Sequence, residues 1–451
     1  MLTGLARDGG LYVPATWPRF TPTEIAGLAG KSYEDAAFVV MQPFIDGDIP
    51  DTELHALICD AYAGFSHGLV APLVQIGPSL WVLELFRGPT LAFKDIAMQV
   101  LARLMDRTLA RRGTHATIIA ATSGDTGGAA VEAFRGRQAI DTFVLFPHGR
   151  VSAVQRRQMT TAADDNVHPL AVDGTFDDCQ AIVKTLFSDH VLRDEVGLAG
   201  VNSINWARLM AQIVYYFTSA VALGSPDRRI TYSVPTGNFG DVFAGWAARR
   251  MGLPIDRLVI ATNVNDILVR TLDTGRYRPA GVVATSSPSM DIQISSNFER
   301  FLFEASGRDP ARVRGQMAAL AQGTGFELAS DQLENLRGSF AATRIDEAQT
   351  LAEIERVHAE IGWIADPHTA VGIAAARGLA SANAQVPVVV LGTAHAAKFP
   401  DAVTKAIGFP PPVPPAVARQ ALLPERQTRL PNDPLAVADY IRAHTRAGRA
   451  A

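Results

Sequence analysis

The chain has 451 residues, of which 48% are hydrophobic and 19% are charged. That length predicts two or three globular domains with a large buried core. The formal net charge of -4 is small and argues against a nucleic-acid binder, which would carry a strongly basic face. Two cysteines, Cys59 and Cys179, fit a reducing compartment and offer neither a disulfide framework nor a metal site.

The first 80 residues predict an N-terminal domain that caps the rest of the protein. Residues 32–42 and 52–62 have helical patterns, separated by a turn at 43–50. The start of the chain lacks the basic residues and apolar run of a signal peptide, and no later stretch is long and apolar enough to span a bilayer. We therefore expect a cytoplasmic protein with no membrane partner.

From about residue 80 the chain alternates short aliphatic runs with helical patterns. The predicted strands are 81–86, 117–121, 142–146, 168–172, 230–234, 257–262 and 386–391. The predicted helices are 96–111, 128–134, 176–188, 206–223, 242–250, about 309–322, 330–338, 346–361 and 434–445. This order predicts an α/β protein with parallel sheets and helices on both faces. We divide it into a smaller domain at 81–220 and a larger one at 221–451.

One lysine, Lys94, stands among apolar residues at the start of a predicted helix. Gly88 and Pro89 predict a rigid turn before it, and Phe93 and Ile96 flank it with apolar surface. Desolvation would lower its pKa from about 10.4 and free the amine for nucleophilic attack. The alternative is an ordinary solvated lysine at a helix start.

Two glycine-rich turns each follow a predicted strand and open a predicted helix. They read ATSGDTGG (121–128) and VPTGNFGD (234–241). Backbone N–H groups at such helix starts bind anions, so the first turn suits a carboxylate or phosphate and the second a phosphate. The first turn is neither a P-loop nor a GxGxxG fingerprint, and each of the two could also be an ordinary turn.

A fourth segment places Thr393 at the carboxyl end of the last aliphatic strand. A hydroxyl there could meet a pyridine nitrogen that stays unprotonated. The nearby His395 is better explained as a hydrogen-bonded structural histidine. One lysine, two anion loops and this hydroxyl together match a pyridoxal phosphate (PLP) site, in which the lysine forms a Schiff base with the cofactor aldehyde and a loop holds its phosphate.

Longer motifs in the same regions resemble the threonine synthase family, and the resemblance extends from residue 3 to about residue 405. The matching segments are LELFRGPTLAFKD (83–95), ATSGDTGGAA (121–130), NSINWARLMAQ (202–212), SVPTGNFGD (233–241), ATNVND (261–266), SMDI (289–292), SNFER (296–300) and LGTAHAAKFP (391–400). The resemblance implies a type II PLP-enzyme fold, similar to the tryptophan synthase β subunit, with two parallel-sheet α/β domains behind an N-terminal domain.

The resemblance implies a PLP-dependent carbon–oxygen lyase of threonine biosynthesis. Such an enzyme converts O-phospho-L-homoserine and water to L-threonine and phosphate by β,γ-elimination and replacement. Lys94, next to Phe93, matches the Schiff-base lysine, Asp125 lies at the position beside the cofactor's 3-hydroxyl, and Thr393 matches the group at the pyridine nitrogen. The family's cofactor-phosphate loop is matched by Gly237, Asn238, Phe239, Gly240 and Asp241.

Two further segments match the family's substrate-binding residues, with no metal implied. Those matching the substrate-carboxylate loop are Thr122, Ser123, Gly124 and Thr126. Asn205 and Arg208 match the segment that reaches the substrate phosphate, and a guanidinium suits that dianion because it can bind two oxygens at once. The partner implied is a small molecule, and a homodimer is compatible with this reading.

The start of the chain departs from the family, and two other functions stay open. Family members usually carry a Ser-Thr-Arg-Gly stretch ahead of the segment that begins here at Met1-Leu2-Thr3-Gly4, so either translation starts upstream or this protein lacks that piece. One alternative function is another type II enzyme, such as a threonine or serine dehydratase or cystathionine β-synthase. The other is a non-catalytic relative that binds PLP or a phosphorylated ligand.

Overall fold

Two β-sheets organise the protein, and each takes strands from distant parts of the chain. The computed structural model describes residues 2, 4–122, 124–382 and 385–447. The strands are β1 (Leu73–Gln75), β2 (Leu80–Glu84), β3 (Ala116–Ala121), β4 (Ile140–Pro147), β5 (Val167–Val172), β6 (Leu198–Ala199), β7 (Ile230–Pro235), β8 (Ile255–Thr262), β9 (Arg276–Tyr277), β10 (Phe326–Glu327), β11 (Phe340–Arg344), β12 (Val388–Gly392) and β13 (Thr428–Leu430).

Helices separate most of these strands. They are α1 (Pro22–Ala26), α2 (Tyr33–Ile45), α3 (Asp51–Tyr62), α4 (Lys94–Arg112), α5 (Asp125–Phe134), α6 (Ala153–Thr160), α7 (Phe176–Ser188), α8 (His190–Glu195), α9 (Trp206–Ala222), α10 (Gly240–Arg250), α11 (Ile267–Thr274), α12 (Phe298–Ala305), α13 (Pro310–Ala321), α14 (Ser330–Ser339), α15 (Glu347–Ile361), α16 (Pro367–Ala382), α17 (Pro400–Ile407), α18 (Pro415–Gln420) and α19 (Pro434–His444). Among the described residues, no helix is both long and apolar enough to cross a bilayer.

The larger sheet has the strand order β1-β2-β12-β7-β8-β11. All its pairings are parallel except that of β1 with β2. In the register of β12 with β2, Gly392 lies opposite Glu84. The carboxyl ends of β2, β7 and β12 therefore share one edge, which is where α/β sheets bind their ligands. The segments that hold Lys94, Gly237 and Thr393 all start from that edge.

The smaller sheet has the strand order β13-β5-β4-β3-β6 and is parallel throughout. Strand β4 is buried along its whole length, as expected for a central strand covered by helices on both faces. The carboxyl end of β3 leads into the turn before α5. The second glycine-rich turn and Lys94 come from the other sheet, so the candidate site draws on both.

The fold class predicted from the alternating pattern is confirmed, but the predicted domain boundaries do not coincide with the sheets. Strand β2 was expected in the smaller domain at 81–220, yet it lies in the larger sheet between β1 and β12. Strand β13 and helix α19 belong to the expected larger domain at 221–451, yet β13 pairs with β5 and α19 packs on α7. Aliphatic runs predict strands but carry no information about which strand lies beside which.

Local signals explain where most elements begin and end. The side chain of Thr175 accepts a hydrogen bond from the N–H of Asp178, whose carboxylate in turn accepts one from Thr175, so a capping box starts α7 where the sequence predicted a helix. Each predicted strand is present within a few residues. The sequence did not predict the short strands β1, β6, β9, β10, β11 and β13 or the helices α1, α6, α8, α11, α12, α16, α17 and α18. In addition, α2 continues through Pro43 to Ile45, where the sequence predicted a turn.

The N-terminal helices are part of the main core. Helix α2 packs on α9, and α3 packs on α4. Tyr33 and Tyr62 meet edge to face with ring centroids 5.0 Å apart, and the hydroxyl of Tyr62 donates to the carbonyl of Ile96 on α4. These contacts place the N-terminal segment against the two helices that carry Lys94 and Arg208.

A matched pair of glycine substitutions tests the packing of α10 on the larger sheet. A Cβ at Gly245 would lie 2.7 Å from Tyr216 Cε1 and 2.8 Å from Leu258 Cδ2, whereas a Cβ at Gly315 on α13 meets nothing within 4 Å. We expect Gly245→Ala to lower the free energy of unfolding by about 1–3 kcal/mol through overpacking. We expect Gly315→Ala to be neutral or to stabilise by about 0.4–1 kcal/mol. Denaturant unfolding measures both, and equal effects would contradict the packing described.

Candidate active site

The loop between β2 and α4 is closed by the residue that follows the lysine. The carboxylate of Asp95 accepts hydrogen bonds from the N–H of Thr90 at 2.8 Å and from its hydroxyl at 2.6 Å. A Cβ at Gly88 would lie 2.5 Å from Asp95 Oδ2, so only glycine leaves room for this contact. The turn predicted at Gly88 and Pro89 therefore fixes Lys94 as the first residue of α4.

Backbone hydrogen bonds tie this loop to the end of β12. The N–H of Phe93 donates to the carbonyl of Thr393 at 2.8 Å, and the N–H of Leu85 donates to that of Gly392 at 2.9 Å. Phe93 also lies beside the lysine, with Lys94 Nζ 5.0 Å from its ring centroid. Lys94 and Thr393, distant in sequence, are thus neighbours, and Thr393 is only 6% exposed.

The Lys94 amine lies in a buried cluster with Asp125 and a second lysine, Lys398. Lys94 Nζ is 3.4 Å from Asp125 Oδ2, and Lys398 Nζ is 2.8 Å from Asp125 Oδ1. Lys398 Nζ also donates to the carbonyl of Thr90 at 2.8 Å, and Gln155 Nε2 donates to Asp125 Oδ1 at 2.9 Å. One carboxylate therefore serves two ammonium groups, and Lys398 is the closer of the two.

The electrostatics of this cluster favour a reactive amine at Lys94. Burial lowers the pKa of Lys94, Asp125 raises it, and the positive charges of Lys398 and Arg208 lower it again. Burial opposes ionisation of Asp125, but Lys398 and then Lys94 outweigh that effect and hold the pKa of Asp125 well below its usual value. Asp125 therefore stays charged while Lys94 gives up its proton more readily than a surface lysine.

Lys398 was not assigned a role from the sequence, although it lies in the segment LGTAHAAKFP. A lysine in a short turn after a strand is usually solvated, so the sequence gave no sign that this side chain is fully buried. His395, in the same segment, accepts a hydrogen bond from the N–H of Ala397 through Nδ1 at 3.1 Å. That contact fits the structural role predicted for this histidine.

The turn between β3 and α5 is shaped by a threonine. Thr122 Oγ1 accepts hydrogen bonds from the N–H groups of Gly124 and Gly127, both at 2.9 Å. Gly124 has φ 144°, a conformation that glycine adopts readily. Thr126 lies half-buried in the first turn of α5, and Ser123 lies outside the described residues. The described part of this turn opens beside Asp125, next to the Lys94 amine.

The turn between β7 and α10 has its carbonyl groups held by a neighbouring segment. Ser295 Oγ donates to the carbonyl of Gly237 at 2.6 Å, and Asn297 Nδ2 donates to that of Asn238 at 3.0 Å. Phe239 has φ 63°, in the left-handed region, just before Gly240. No described residue accepts a hydrogen bond from the N–H groups of Gly237, Asn238, Phe239 or Gly240. Unpaired N–H groups at a helix start are the donor set that a phosphate needs.

Asp241, which was also predicted for this loop, turns its side chain toward the core. Its Oδ1 accepts hydrogen bonds from the hydroxyls of Tyr215 and Tyr216 on α9. Burial raises the pKa of Asp241 to about 7, so the charge that would repel a nearby phosphate is reduced at neutral pH. Only its backbone is available to the predicted loop.

The start of α9 brings a buried guanidinium to the cluster. The side chain of Asn205 caps this helix, with Oδ1 accepting from the N–H of Ala207 at 3.1 Å. Arg208 is 4% exposed and donates through Nη1 to the carbonyl of Val201 at 3.2 Å. Its buried Nε has no partner among the described residues. Burial lowers the pKa of Arg208 to about 10, so the group is still a cation at neutral pH, and no carboxylate in the described part of the chain forms an ion pair with it.

These residues fit PLP. Lys94 is a buried amine of lowered pKa, Thr393 lies beside its loop, and the unpaired N–H groups from Gly237 to Gly240 supply a phosphate cradle. A family model described as "Pyridoxal-phosphate dependent enzyme" matches residues 69–393. Fold and site together define a PLP-dependent enzyme.

The terminal regions identify the branch of that class. Models described as "Threonine synthase N terminus" and "Threonine synthase, C-terminal" match residues 1–62 and 369–441. The chain is 48% identical over 450 residues to a threonine synthase of Pseudomonas aeruginosa, covering 100% of this chain and 96% of that one. The chain belongs to the threonine synthase family.

Solved structures agree with this assignment. The crystal structure of PLP-bound threonine synthase from Brucella melitensis matches with a TM-score of 0.96 and 55% identity, covering 98% of this chain and 95% of that one. The structure of threonine synthase from yeast matches with a TM-score of 0.93 and 38% identity, covering 98% and 94%. The type II PLP fold expected from the sequence is confirmed.

Removing the second lysine tests its effect on Lys94. In Lys398→Met, Asp125 keeps Lys94 as its only lysine partner and a neighbouring positive charge is lost, so the pKa of Lys94 rises. We expect the pH dependence of PLP uptake by cofactor-free protein to shift to higher pH. Lys405→Met, which removes an exposed lysine from α17, is the control and should leave the profile unchanged. An unshifted profile in Lys398→Met would show that Lys398 does not set the reactivity of Lys94.

Proposed function

We propose that the chain converts O-phospho-L-homoserine and water to L-threonine and phosphate. The observation that carries this proposal, beyond family membership, is the buried Arg208 guanidinium beside the Lys94 cluster. The turn from Gly237 to Gly240 already provides donors for the cofactor's phosphate. A second anion site near the same lysine is what a phosphorylated substrate requires, whereas a dehydratase acting on threonine or serine needs none.

Arg208 is suited to the substrate phosphate by its burial and its free donors. Its Nε has no partner among the described residues, and Nη1 makes a single contact with a carbonyl. A guanidinium can pair two of its N–H groups with two phosphate oxygens, and this pairing is strong where water is excluded. Arg208 therefore binds the phosphate in the substrate and stabilises the charge that grows on it as it leaves.

Lys94 moves the protons. When bound, PLP supplies an electron sink that makes the C–H bond next to the substrate amine acidic. Lys94 Nζ, with its lowered pKa, accepts that proton near neutral pH. Asp125 and Lys398 remain paired while Lys94 changes its protonation state, because Lys398 holds the opposite oxygen of the carboxylate. The charge of Asp125 thus stays paired with Lys398 while the charge of Lys94 changes.

The turn before α5 orients the other end of the substrate. Thr122 holds the turn in shape through the N–H groups of Gly124 and Gly127. No described residue accepts from the N–H of Thr126 in the first turn of α5. We assign this turn to the substrate carboxylate, since N–H groups at a helix start favour an anion. Asn205 contributes by fixing the start of α9, from which Arg208 projects.

The first experiment measures product formation by the purified protein. With O-phospho-L-homoserine we expect phosphate and threonine in equal amounts, and with threonine or serine alone no comparable turnover. Lys94→Ala should abolish turnover and the covalent attachment of cofactor, detected by borohydride reduction and mass spectrometry, while the exposed-site control Lys405→Ala retains both. Dehydration of threonine without use of the phosphorylated substrate would replace this proposal with the dehydratase alternative, and cofactor binding without any turnover would favour the non-catalytic one.

A second experiment tests the phosphate role of Arg208. We expect Arg208→Gln to lower kcat/KM for O-phospho-L-homoserine by about 100-fold, the typical loss when one donor to a developing anion is removed. PLP binding, followed by absorbance, should change little. Arg208→Lys keeps the charge without the fork and should recover only part of the loss. Equal losses of cofactor binding and turnover would instead assign Arg208 to the cofactor.

Two expectations from the sequence stay predictions. The cytoplasmic location is expected from the cysteine usage, and a homodimer is compatible with the sequence. Size measurement by light scattering would decide the second.

A further inference from the structure

A buried group at the start of α16 contacts both halves of the cofactor site, and sequence reasoning gave it no role. Asp366, His368 and Thr369 are 1%, 3% and 0% exposed. Asp366 Oδ2 lies 2.8 Å from His368 Nδ1, and Asp366 Oδ1 accepts a hydrogen bond from the hydroxyl of Thr369. Each carboxylate oxygen therefore holds one of the two side chains.

Thr369 leads toward the ring end of the site. Its Oγ1 accepts a hydrogen bond from the N–H of Thr393 at 3.2 Å. The carbonyl of Thr393 in turn accepts from the N–H of Phe93, the residue before Lys94. The position of Thr393, which we assign to the pyridine nitrogen, is thus fixed from Asp366 on one side and from the lysine loop on the other.

His368 leads toward the phosphate end. Its Nε2 accepts a hydrogen bond from the N–H of Ser289 at 3.2 Å. Because Nε2 is the acceptor, the ring proton is on Nδ1, where it is donated to Asp366. The carbonyl oxygen of Ser289 lies 2.7 Å from where a Cβ of Gly237 would be, so this segment packs directly on the first residue of the phosphate turn.

An ordinary helix cap explains only part of this arrangement. Asp366 accepts from the backbone N–H groups of His368 at 3.0 Å and of Thr369 at 3.1 Å, as a residue that caps a helix does. A cap needs neither of the two side-chain contacts. Through these contacts His368 links Asp366 to Ser289, and Thr369 links Asp366 to Thr393. Ser289 and Thr393 lie on separate segments.

We propose that Asp366, through His368 and Thr369, is a positioning group that sets the distance between the phosphate end and the ring end of the PLP site. The buried carboxylate of Asp366 orients both His368 and Thr369, so the turn at Gly237 and the hydroxyl of Thr393 are held at a fixed distance from each other. The proposal rests on assigning Gly237 and Thr393 to the cofactor, but it does not depend on which substrate the enzyme uses.

A pair of histidine variants separates positioning from simple packing. Gln places its carbonyl oxygen near the site of Nε2 and can still accept from Ser289, but it has no donor at the site of Nδ1 and loses the contact with Asp366. Asn keeps a donor at the site of Nδ1 for Asp366 but leaves the N–H of Ser289 buried and unpaired. We expect both variants to speed PLP release from the holoenzyme, His368→Asn about tenfold, in line with the loss of one buried hydrogen bond.

Pyridoxal, which lacks the phosphate, distinguishes the link through His368 from the link through Thr369. Its uptake by cofactor-free His368→Asn should match that of the parent protein, because the damage lies at the phosphate end. Thr369→Val removes the acceptor for the N–H of Thr393 and should slow the uptake of pyridoxal as well as that of PLP, whereas Thr369→Ser keeps the hydroxyl and should restore both.

Three results would overturn the proposal. They are an unchanged PLP release rate in His368→Asn, a parent-like PLP release rate in His368→Gln, and equal effects of His368→Asn on PLP and on pyridoxal. All of these readouts concern cofactor binding, so they stay informative if the parent protein binds PLP but does not turn over O-phospho-L-homoserine. That second outcome would reject the proposed function and leave the positioning group to be judged on its own data.

Discussion

The charge on one buried carboxylate, Asp125, determines the arrangement of the rest of the site. A buried charge is tolerated only when it is paired, and removing one partner of a buried pair typically costs about 3–5 kcal/mol. In the proposed function Lys94 cannot be the only partner, because its amine would change protonation state and bond to the cofactor. Lys398 holds the opposite carboxylate oxygen at 2.8 Å and donates to the carbonyl of Thr90, which leaves Lys94 at 3.4 Å and free to react. Lys94 can thus react because Lys398 stays paired with Asp125.

The site works largely through its backbone, and side chains mainly shape that backbone. Ser295 and Asn297 occupy the carbonyl groups of the phosphate turn, so its N–H groups stay unpaired. Thr122 shapes the turn before α5 in a different way, by accepting hydrogen bonds from the N–H groups of Gly124 and Gly127. Asp241, an acid next to the proposed phosphate turn, directs its side chain away to two tyrosines, and burial raises its pKa to about 7, which reduces its average charge at neutral pH.

The parallel order of the larger sheet explains why these parts meet. Strands β2, β7 and β12 run in the same direction and end at one edge, so the segments after them converge although the chain between them is long. Hydrogen bonds from Phe93 to Thr393 and from Leu85 to Gly392 then fix the lysine loop on β12. The group at Asp366 adds a link from the phosphate end to the same strand end, so the opening for the cofactor is defined on two sides.

The sequence by itself determined the features that depend on near neighbours: the aliphatic strands, the capped helices, the glycine-rich turns and the lysine at the start of α4. Such features are encoded within a few residues, and long motifs added the family resemblance. Only the tertiary structure decided the pairing of β2 with β12 and of β13 with β5, the inward turn of Asp241, and the burial of Lys398 and His368. Lys398 and Thr90 are 308 residues apart. No local pattern records such a contact, because burial and charge pairing depend on which distant surfaces fold together.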